Sequence, residues 1–314
     1  MTLPAIERAR AFSEVRLAAL RARIPVLVPS GASVVACGSY ARREASAASD
    51  FDYFTILPAN LAGAAASGVW ERALKRAVAG IVGVEPAKDG AFAQVERADR
   101  MVRNIGGQHD DNQKLTRRML FLLEGAPLSA ETEARAVRGA LIERYLRAGL
   151  DAGLASFLLN DVIRYYRTMA VDYEFKTREG DRPKPWGLRK VKLMFSRKLL
   201  YASGLFSVAA ARDLDRQPAA ARLEALFDLS PVARLEEICG RTAAASLLGC
   251  YDGFLDRLAD AGLRHRLEGL TPDDHDAPEF RAIEAEGARF SLELGRLFER
   301  TFAADHPIHR AMLF

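Results

Sequence analysis

Cysteine is scarce in this chain, and long hydrophobic runs are missing. Cys37, Cys239 and Cys250 are the three cysteines among 314 residues, and no two of them form a CxxC pair. Their odd number and wide separation argue against a disulfide framework and a zinc site, and suit a reducing compartment. No uninterrupted apolar stretch approaches the ~20 residues that a membrane-spanning helix needs. We therefore expect no membrane association.

A strong overall charge and low-complexity tracts are also lacking. The chain is 49% hydrophobic and 27% charged, with a net charge of +4, which is typical of a globular protein. So weak a net charge gives no reason to expect stable DNA binding. Residues 1–23 mix charged and apolar residues at helical spacing, which predicts an amphipathic helix and not a signal peptide. We expect a soluble, cytoplasmic protein of bacterial type.

Positive charge is nevertheless concentrated in one segment. Between Arg164 and Lys198 there are eleven Lys or Arg residues and four acidic residues, a local net charge of +7. One interpretation is an exposed surface whose charges form ion pairs. The other is that some of these cations line a cleft and hold a triphosphate or a polyanionic acceptor. Arg189 and Lys192 are the candidates for such phosphate contacts.

The order of the sequence patterns predicts an α+β fold with two domains. In residues 1–108, apolar and β-branched runs over Ser33–Cys37, 51–57 and 91–96 read as strands of a small mixed sheet, with helices between them. Residues 109–314 form a mostly α-helical domain. Its helices are predicted over 114–124, 130–150, 155–176, 188–203, 219–227, 243–263 and 278–302.

The segment that carries chemistry begins where the first strand ends. Gly38-Ser39 follows Ser33–Cys37 and precedes a short helix predicted over 40–48. Glycine lets the backbone approach a phosphate closely, and the start of a helix offers unpaired N–H groups to an anion. Ser39 suits the N-cap of that helix and can donate to a phosphate through its hydroxyl. Arg42, one turn later, adds positive charge for phosphate oxygens.

Two aspartates follow at the start of the second strand. Asp50 and Asp52 have the i, i+2 spacing that places side chains on the same side of a strand, and Phe51 and Phe54 are expected to point the other way, into the core. Two carboxylates this close repel each other unless a cation lies between them. Mg²⁺ or Mn²⁺ meets that need, because such ions take oxygen ligands and keep positions for water and substrate phosphates. The pair therefore predicts a metal site for phosphoryl chemistry.

The combined pattern, residues 37–39 (Cys-Gly-Ser) and 50–53 (Asp-Phe-Asp-Tyr), resembles the signature of the nucleotidyltransferase superfamily of the DNA polymerase β type. Its form is similar to bacterial members that are not template-directed polymerases, such as minimal nucleotidyltransferases and the enzymes that uridylylate PII or adenylylate glutamine synthetase. Residues 185–189 and 195–198 resemble bacterial members with a helical C-terminal domain. The resemblance implies a nucleotidyltransferase domain followed by a helical domain, with a nucleoside triphosphate as substrate.

The resemblance also implies a third carboxylate from a later strand. Glu96, at the end of the strand predicted over 91–96, is the preferred candidate, and Asp89, just before that strand, is the other. With Asp50 and Asp52, Glu96 would complete a catalytic set that binds the metal and helps to activate the attacking hydroxyl. If no third acid reaches the metal, the chain binds a nucleotide and transfers nothing.

Three functions therefore compete. The first is Mg²⁺-dependent transfer of a nucleoside monophosphate from a nucleoside triphosphate, ATP by default, to a hydroxyl of a protein, RNA or small-molecule acceptor, with release of pyrophosphate. The alternative is a catalytically weak or inactive module of the same fold that senses nucleotides or binds a partner. Nucleic-acid binding through residues 164–198 is the third, and no aromatic RNA-binding motif supports it.

Overall fold

The computed structural model describes residues 2–61, 68–84, 94–147, 150, 153–179 and 184–312. In this part of the chain the protein is mostly helical and has one small mixed sheet, which confirms the α+β class. The strands are β1 (Ser33–Cys37), β2 (Asp52–Leu57), β3 (Val95–Arg97) and β4 (Ala126–Pro127). The α-helices are α1 (Pro4–Arg23), α2 (Gly38–Arg42), α3 (Val69–Val82), α4 (Ala98–Arg103), α5 (Asn112–Leu123), α6 (Glu131–Arg147), α7 (Ser156–Arg178), α8 (Trp186–Lys192), α9 (Lys198–Ala210), α10 (Arg216–Asp228), α11 (Pro231–Cys239), α12 (Arg241–Ala259), α13 (Ala261–Gly269), α14 (Pro278–Thr301) and α15 (Ile308–Ala311). None of the helices described is both long and apolar enough to cross a membrane.

The chain divides into two compact units, and neither is one continuous stretch. The sheet unit consists of Arg8–Gly149 and Leu214–Ser230, and the helical unit of Met1–Glu7, Leu150–Asp213 and Pro231–Phe314. This division differs from the predicted boundary between residues 108 and 109. The reason is packing, since α5 and α6 both contact β1 and α10 contacts α6. The helices α5, α6 and α10, which follow residue 108, therefore belong to the unit that contains the sheet.

The sheet has the strand order β3-β2-β1-β4. β1 is antiparallel to both β2 and β4, and β3 is parallel to β2. β4 was not predicted, because its two residues lie in a Gly-Ala-Pro segment that reads as a connection. The register of β1 and β2 places Cys37 opposite Asp52, so the end of the first strand and the start of the second meet at one edge of the sheet.

Both faces of the sheet are covered within this unit. Phe51 and Tyr53 pack in one core cluster with the buried face of α3, which includes Trp70, Leu74 and Val78. Phe54 lies on the opposite face, where its ring meets that of Phe121 on α5, with centroids 6.3 Å apart. The prediction that Phe51 and Phe54 share a direction is therefore wrong. On a strand with period 2, Phe54 shares the face of Asp52.

Two of the predicted helices in the helical unit are each interrupted. Instead of one helix over 188–203, α8 is followed by a π-helical turn at Leu193–Arg197 and then by α9. The helix predicted over 243–263 ends at Ala259, because Asp260 has extended backbone angles and accepts the Leu263 N–H at 2.7 Å as the N-cap of α13. α11 was not predicted.

Candidate active site

Gly38 occupies a position that only glycine fills without strain. Its φ is +69°, in the left-handed region, and a Cβ at this position would lie 2.7 Å from Asp52 Oδ2. The left-handed conformation favours glycine because a side chain would clash with the backbone. The short distance favours glycine because the Asp52 carboxylate occupies the space that a Cβ would need. The Gly38 backbone therefore lies directly against the Asp52 carboxylate.

The helix after this turn is shorter than predicted. α2 ends at Arg42, because Arg43 takes a left-handed conformation with φ of 63°. Its N-cap is Cys37, which makes no side-chain cap, so the predicted N-cap role of Ser39 is wrong. Ser39 lies inside the first turn and is half-buried.

Asp50 and Asp52 flank a buried aromatic residue. Asp50 precedes β2 and is exposed, Phe51 is buried, and Asp52 begins β2 and is half-buried. This alternation is that of an extended segment, and it places the two carboxylates on the side away from the Phe51 ring. Burial and, more weakly, the charge of Asp50 raise the pKa of the Tyr40 phenol, so Asp50 lies near the helix that Gly38 begins.

Glu124 is a carboxylate of this site that the sequence did not reveal. It follows α5, and its side chain is fully buried. The Gly38 amide donates to its Oε1 at 2.8 Å, and Arg42 Nη1 donates to its Oε2 at 2.6 Å. Arg42 also pairs with Glu44. The Gly38 amide and the Arg42 guanidinium, both predicted to contact phosphate, are thus hydrogen-bonded to protein carboxylates.

The negative potential at this edge of the sheet acts on Cys37. Burial is the main cause that raises the pKa of the Cys37 thiol well above its usual value, and the carboxylates of Glu124 and Asp52 raise it further. The Arg42 guanidinium acts in the opposite direction. The thiol therefore stays protonated.

Glu96 does not join the two aspartates. It lies on β3 opposite Ile56, which is four residues beyond Asp52 on β2. At ~3.3 Å per residue the separation along the sheet is ~13 Å. The Glu96 carboxylate instead accepts a hydrogen bond from Arg117. The expectation that Glu96 completes the metal site is therefore not met, and Asp89, the other candidate, lies outside the described residues.

One stripe of α5 explains both pairings. Arg117, Phe121 and Glu124 follow each other at helical spacings of four and three, so they share one face of the helix. Arg117 meets Glu96, Phe121 meets Phe54, and Glu124 meets the Gly38 turn. Seven residues of helix rise ~10 Å, which matches the separation of the two sites along β2. The signal was present in the sequence as two charged residues on an otherwise apolar stripe.

The predicted phosphate contacts Arg189 and Lys192 belong to the helical unit, where both are half-buried on α8. Several charges of the basic segment are paired along their own helix. Lys176 contacts Asp172 at 2.8 Å, and Arg178 contacts Glu174 at 2.9 Å. Exposed pairs at this spacing are the ordinary surface arrangement. They account for part of the segment's charge without a ligand.

Two carboxylates could hold a divalent metal near the Gly38 turn. Asp50 and Asp52 supply carboxylates, and Mg²⁺ is commonly bound by one or two carboxylates together with waters and substrate phosphates. Glycine at position 38 fits this use, since a side chain there would fill the space against Asp52 Oδ2. In the parts of the chain that are described, no group of three His, Cys, Asp or Glu side chains could hold a metal by itself.

No family model matches this chain, and no curated protein matches it.

Proposed function

We propose that this chain is a Mg²⁺-dependent nucleotidyltransferase. It moves a nucleoside monophosphate from a nucleoside triphosphate, ATP by default, to a hydroxyl of a protein, RNA or small-molecule acceptor. The bond between the acceptor oxygen and the α-phosphorus forms, the bond to pyrophosphate breaks, and the hydroxyl proton is released. The observation that carries the proposal is the packing of the Gly38 backbone against the carboxylate of Asp52, two residues after Asp50.

The two aspartates are the residues that would hold the metal. Bound there, Mg²⁺ would neutralise the triphosphate and stabilise the charge that develops on the leaving pyrophosphate. Gly38 lets the backbone lie against the Asp52 carboxylate, and Glu124 fixes the Gly38 turn by accepting a hydrogen bond from its amide. Arg42, held by Glu124, keeps a positive charge close to the turn. These residues position the aspartates and need not touch the nucleotide.

One observation favours the second function, a nucleotide-binding module without turnover. Glu96 lies ~13 Å along the sheet from Asp52 by strand spacing and is paired with Arg117. Glu124 is committed to the Gly38 amide and to Arg42. Neither glutamate is thus placed as the base that would take the proton of the acceptor hydroxyl. The two functions share a nucleotide site and differ only in turnover.

Label transfer separates them. The purified chain is incubated with Mg²⁺ and each NTP labelled at the α-phosphate, with protein, RNA and small-molecule pools of a cell lysate as acceptors. The nucleotidyltransferase predicts incorporation that disappears in the Asp50→Asn, Asp52→Asn double variant. The control is the Asp172→Asn, Glu174→Gln variant, which removes the same charge from exposed surface pairs. Saturable NTP binding without incorporation into any pool supports the binding module, and full incorporation by the Asp50/Asp52 variant contradicts both.

A further inference from the structure

A second cleft lies in the sheet unit, away from the Gly38 turn. It has about 220 Å³ of empty space, part of it open to solvent. Glu96 lines it from β3, and the remaining residues come from α4, the turn after it and α5. They are Arg100, Met101, Asn104, Lys114, Arg117 and Arg118. The cleft therefore brings together four cations and one carboxylate within a single structural unit.

Arg118 forms a neutralised wall of this cleft. Its guanidinium is buried and donates to both oxygens of Asp110, at 2.9 and 3.1 Å. It also donates to the Tyr145 hydroxyl at 2.6 Å. A buried ion pair with this many hydrogen bonds holds the wall in place. Lys114 pairs with the exposed carboxylate of Asp111 at 3.1 Å. The charge available to a ligand therefore comes from Arg100 and Arg117, and only in part from Lys114.

Arg117 is the residue that points to a ligand. The residue is only 7% exposed. Its Nη1 donates to Glu96 and its Nη2 to Gln113 Oε1 at 3.3 Å, but its Nε–H has no acceptor among the described residues. Buried donors are nearly always paired, and an exception asks for an explanation such as a bound ion. Here the orphaned donor belongs to a cation that lines a cleft with two further cations.

The chemistry of the cleft favours a phosphate group. Arg100 of α4 lines the cleft together with Lys114 and Arg117 of α5, so donors from two helices border the space. A tetrahedral dianion with three or four acceptor oxygens can serve all of them, whereas a carboxylate has two oxygens.

We propose that this cleft is a binding site for a phosphate group, either inorganic phosphate or the phosphate monoester of a larger ligand. Glu96 has a defined part in it: its carboxylate orients Arg117 and, being negative, opposes the bound dianion. Glu96 lies on the same face of the sheet as Asp52 and about 13 Å from it along the strands. Phosphate binding in the cleft therefore does not require a metal or a nucleotide at Asp52. The proposal therefore does not depend on the proposed transferase activity.

Calorimetric titration of the full chain with inorganic phosphate, in buffer without Mg²⁺, tests the site. Saturable binding of one phosphate per chain is expected, and the Arg100→Ala, Lys114→Ala variant should weaken it about tenfold or more. The matched control is Arg103→Ala, Arg135→Ala, which removes two exposed arginines from α4 and α6 that do not line the cleft. Absence of saturable binding, or equal affinity of the two double variants, overturns the proposal.

Glu96→Gln gives the sharper result. Removal of the negative charge should tighten phosphate binding, whereas a loss of affinity would overturn the assignment. The Asp50→Asn, Asp52→Asn variant should bind phosphate as the wild type does, and loss of binding there would place the phosphate elsewhere. Methyl phosphate serves as the monoester. If it binds like inorganic phosphate the ligand is a phosphorylated molecule, and if it fails to bind the ligand is free phosphate; either result is compatible with the site.

Discussion

Two glutamates on the same face of the sheet accept hydrogen bonds from arginines, and their surroundings differ. Glu124 receives the Gly38 amide and Arg42, and its side chain is fully buried. Glu96 receives Arg117, whose Nε–H has no acceptor among the described residues. The first pair fixes a turn, and the second lines a cleft with further cations. The Arg42–Glu124 pair thus stabilises a turn, whereas the Arg117–Glu96 pair leaves one buried donor for a ligand.

The difference follows from what surrounds each arginine. Arg42 lies between two carboxylates, Glu44 and Glu124, so the negative charge exceeds the positive at this end of α5. The cleft of Arg117 has four cations, and three carboxylates (Glu96, Asp110 and Asp111) pair with three of them, so the positive charge still exceeds the negative at the other end. One face of the sheet therefore has an acidic edge near Asp52, suited to cations, and a basic cleft near Glu96, suited to anions.

Removal of the Glu124 carboxylate should have the largest effect on stability. Glu124→Ala leaves the Gly38 amide without its acceptor and takes from Arg42 its buried partner. A buried amide left without its acceptor costs about 1–3 kcal/mol. The loss of one of the two carboxylates that pair with Arg42 adds to this cost. Urea unfolding followed by circular dichroism measures the loss. Glu133→Ala, at an exposed position of α6, is the control and should change the free energy of unfolding little. Equal losses for both variants would show that Glu124 does not hold the turn.

Replacement of Gly38 should have the next largest effect. Gly38→Ala forces a side chain into a left-handed conformation, which costs about 1–2 kcal/mol, and also places a Cβ against Asp52 Oδ2. Gly83→Ala is the matched control, because its φ is +81° and nothing lies within 4 Å of the added Cβ. The difference in unfolding free energy between the two variants isolates the contact with Asp52. If the two losses are equal, the Gly38 backbone is not pressed against that carboxylate.

The motif at the acidic edge was readable from the sequence because its spacing is local. Gly38 follows a β-branched run, and Asp50 and Asp52 begin the next one. The sequence therefore predicted a turn after the first strand and two carboxylates on one side of the second. β1 was predicted with its observed bounds, and β2 within one residue. The motif lies within 17 consecutive residues (37–53), so it could be recognised without knowing how distant segments pack.

The partners of that motif could not be predicted, since they depend on register between distant segments. Glu96 was assigned to the metal because it is an acid at a strand end, but the parallel pairing of β3 aligns it with Ile56 and not with Asp52. Glu124 was overlooked because it ends a helix 86 residues beyond Gly38. A single sequence does not state which end of α5 covers which end of β2.

Glu96→Gln should cost less stability than Glu124→Ala and should respond to a ligand. The amide oxygen still accepts from Arg117, so we expect a loss of about 1 kcal/mol. Phosphate at ten times its dissociation constant should restore about 1.4 kcal/mol in this variant. Thermal unfolding with and without phosphate measures both. Glu124→Ala should gain no more from phosphate than the wild type does. A larger gain at Glu124 than at Glu96 would reverse the contrast between the two pairs.

The smallest effect is expected at the exposed arginine of α4. Arg103 pairs with Asp99 one turn earlier on the same helix, and its side chain is 71% exposed. Solvent screens such a pair, so Arg103→Ala should leave the urea midpoint and the phosphate affinity unchanged within error. Arg117→Ala, fourteen residues along the chain, should lower both, because it removes a buried cation from Glu96 and from the cleft. If Arg103→Ala weakens phosphate binding as much as Arg117→Ala does, the affinity comes from the overall charge of the surface and not from the cleft. Equal urea midpoints for the two variants would show that the buried Arg117 contributes no more to stability than the exposed Arg103.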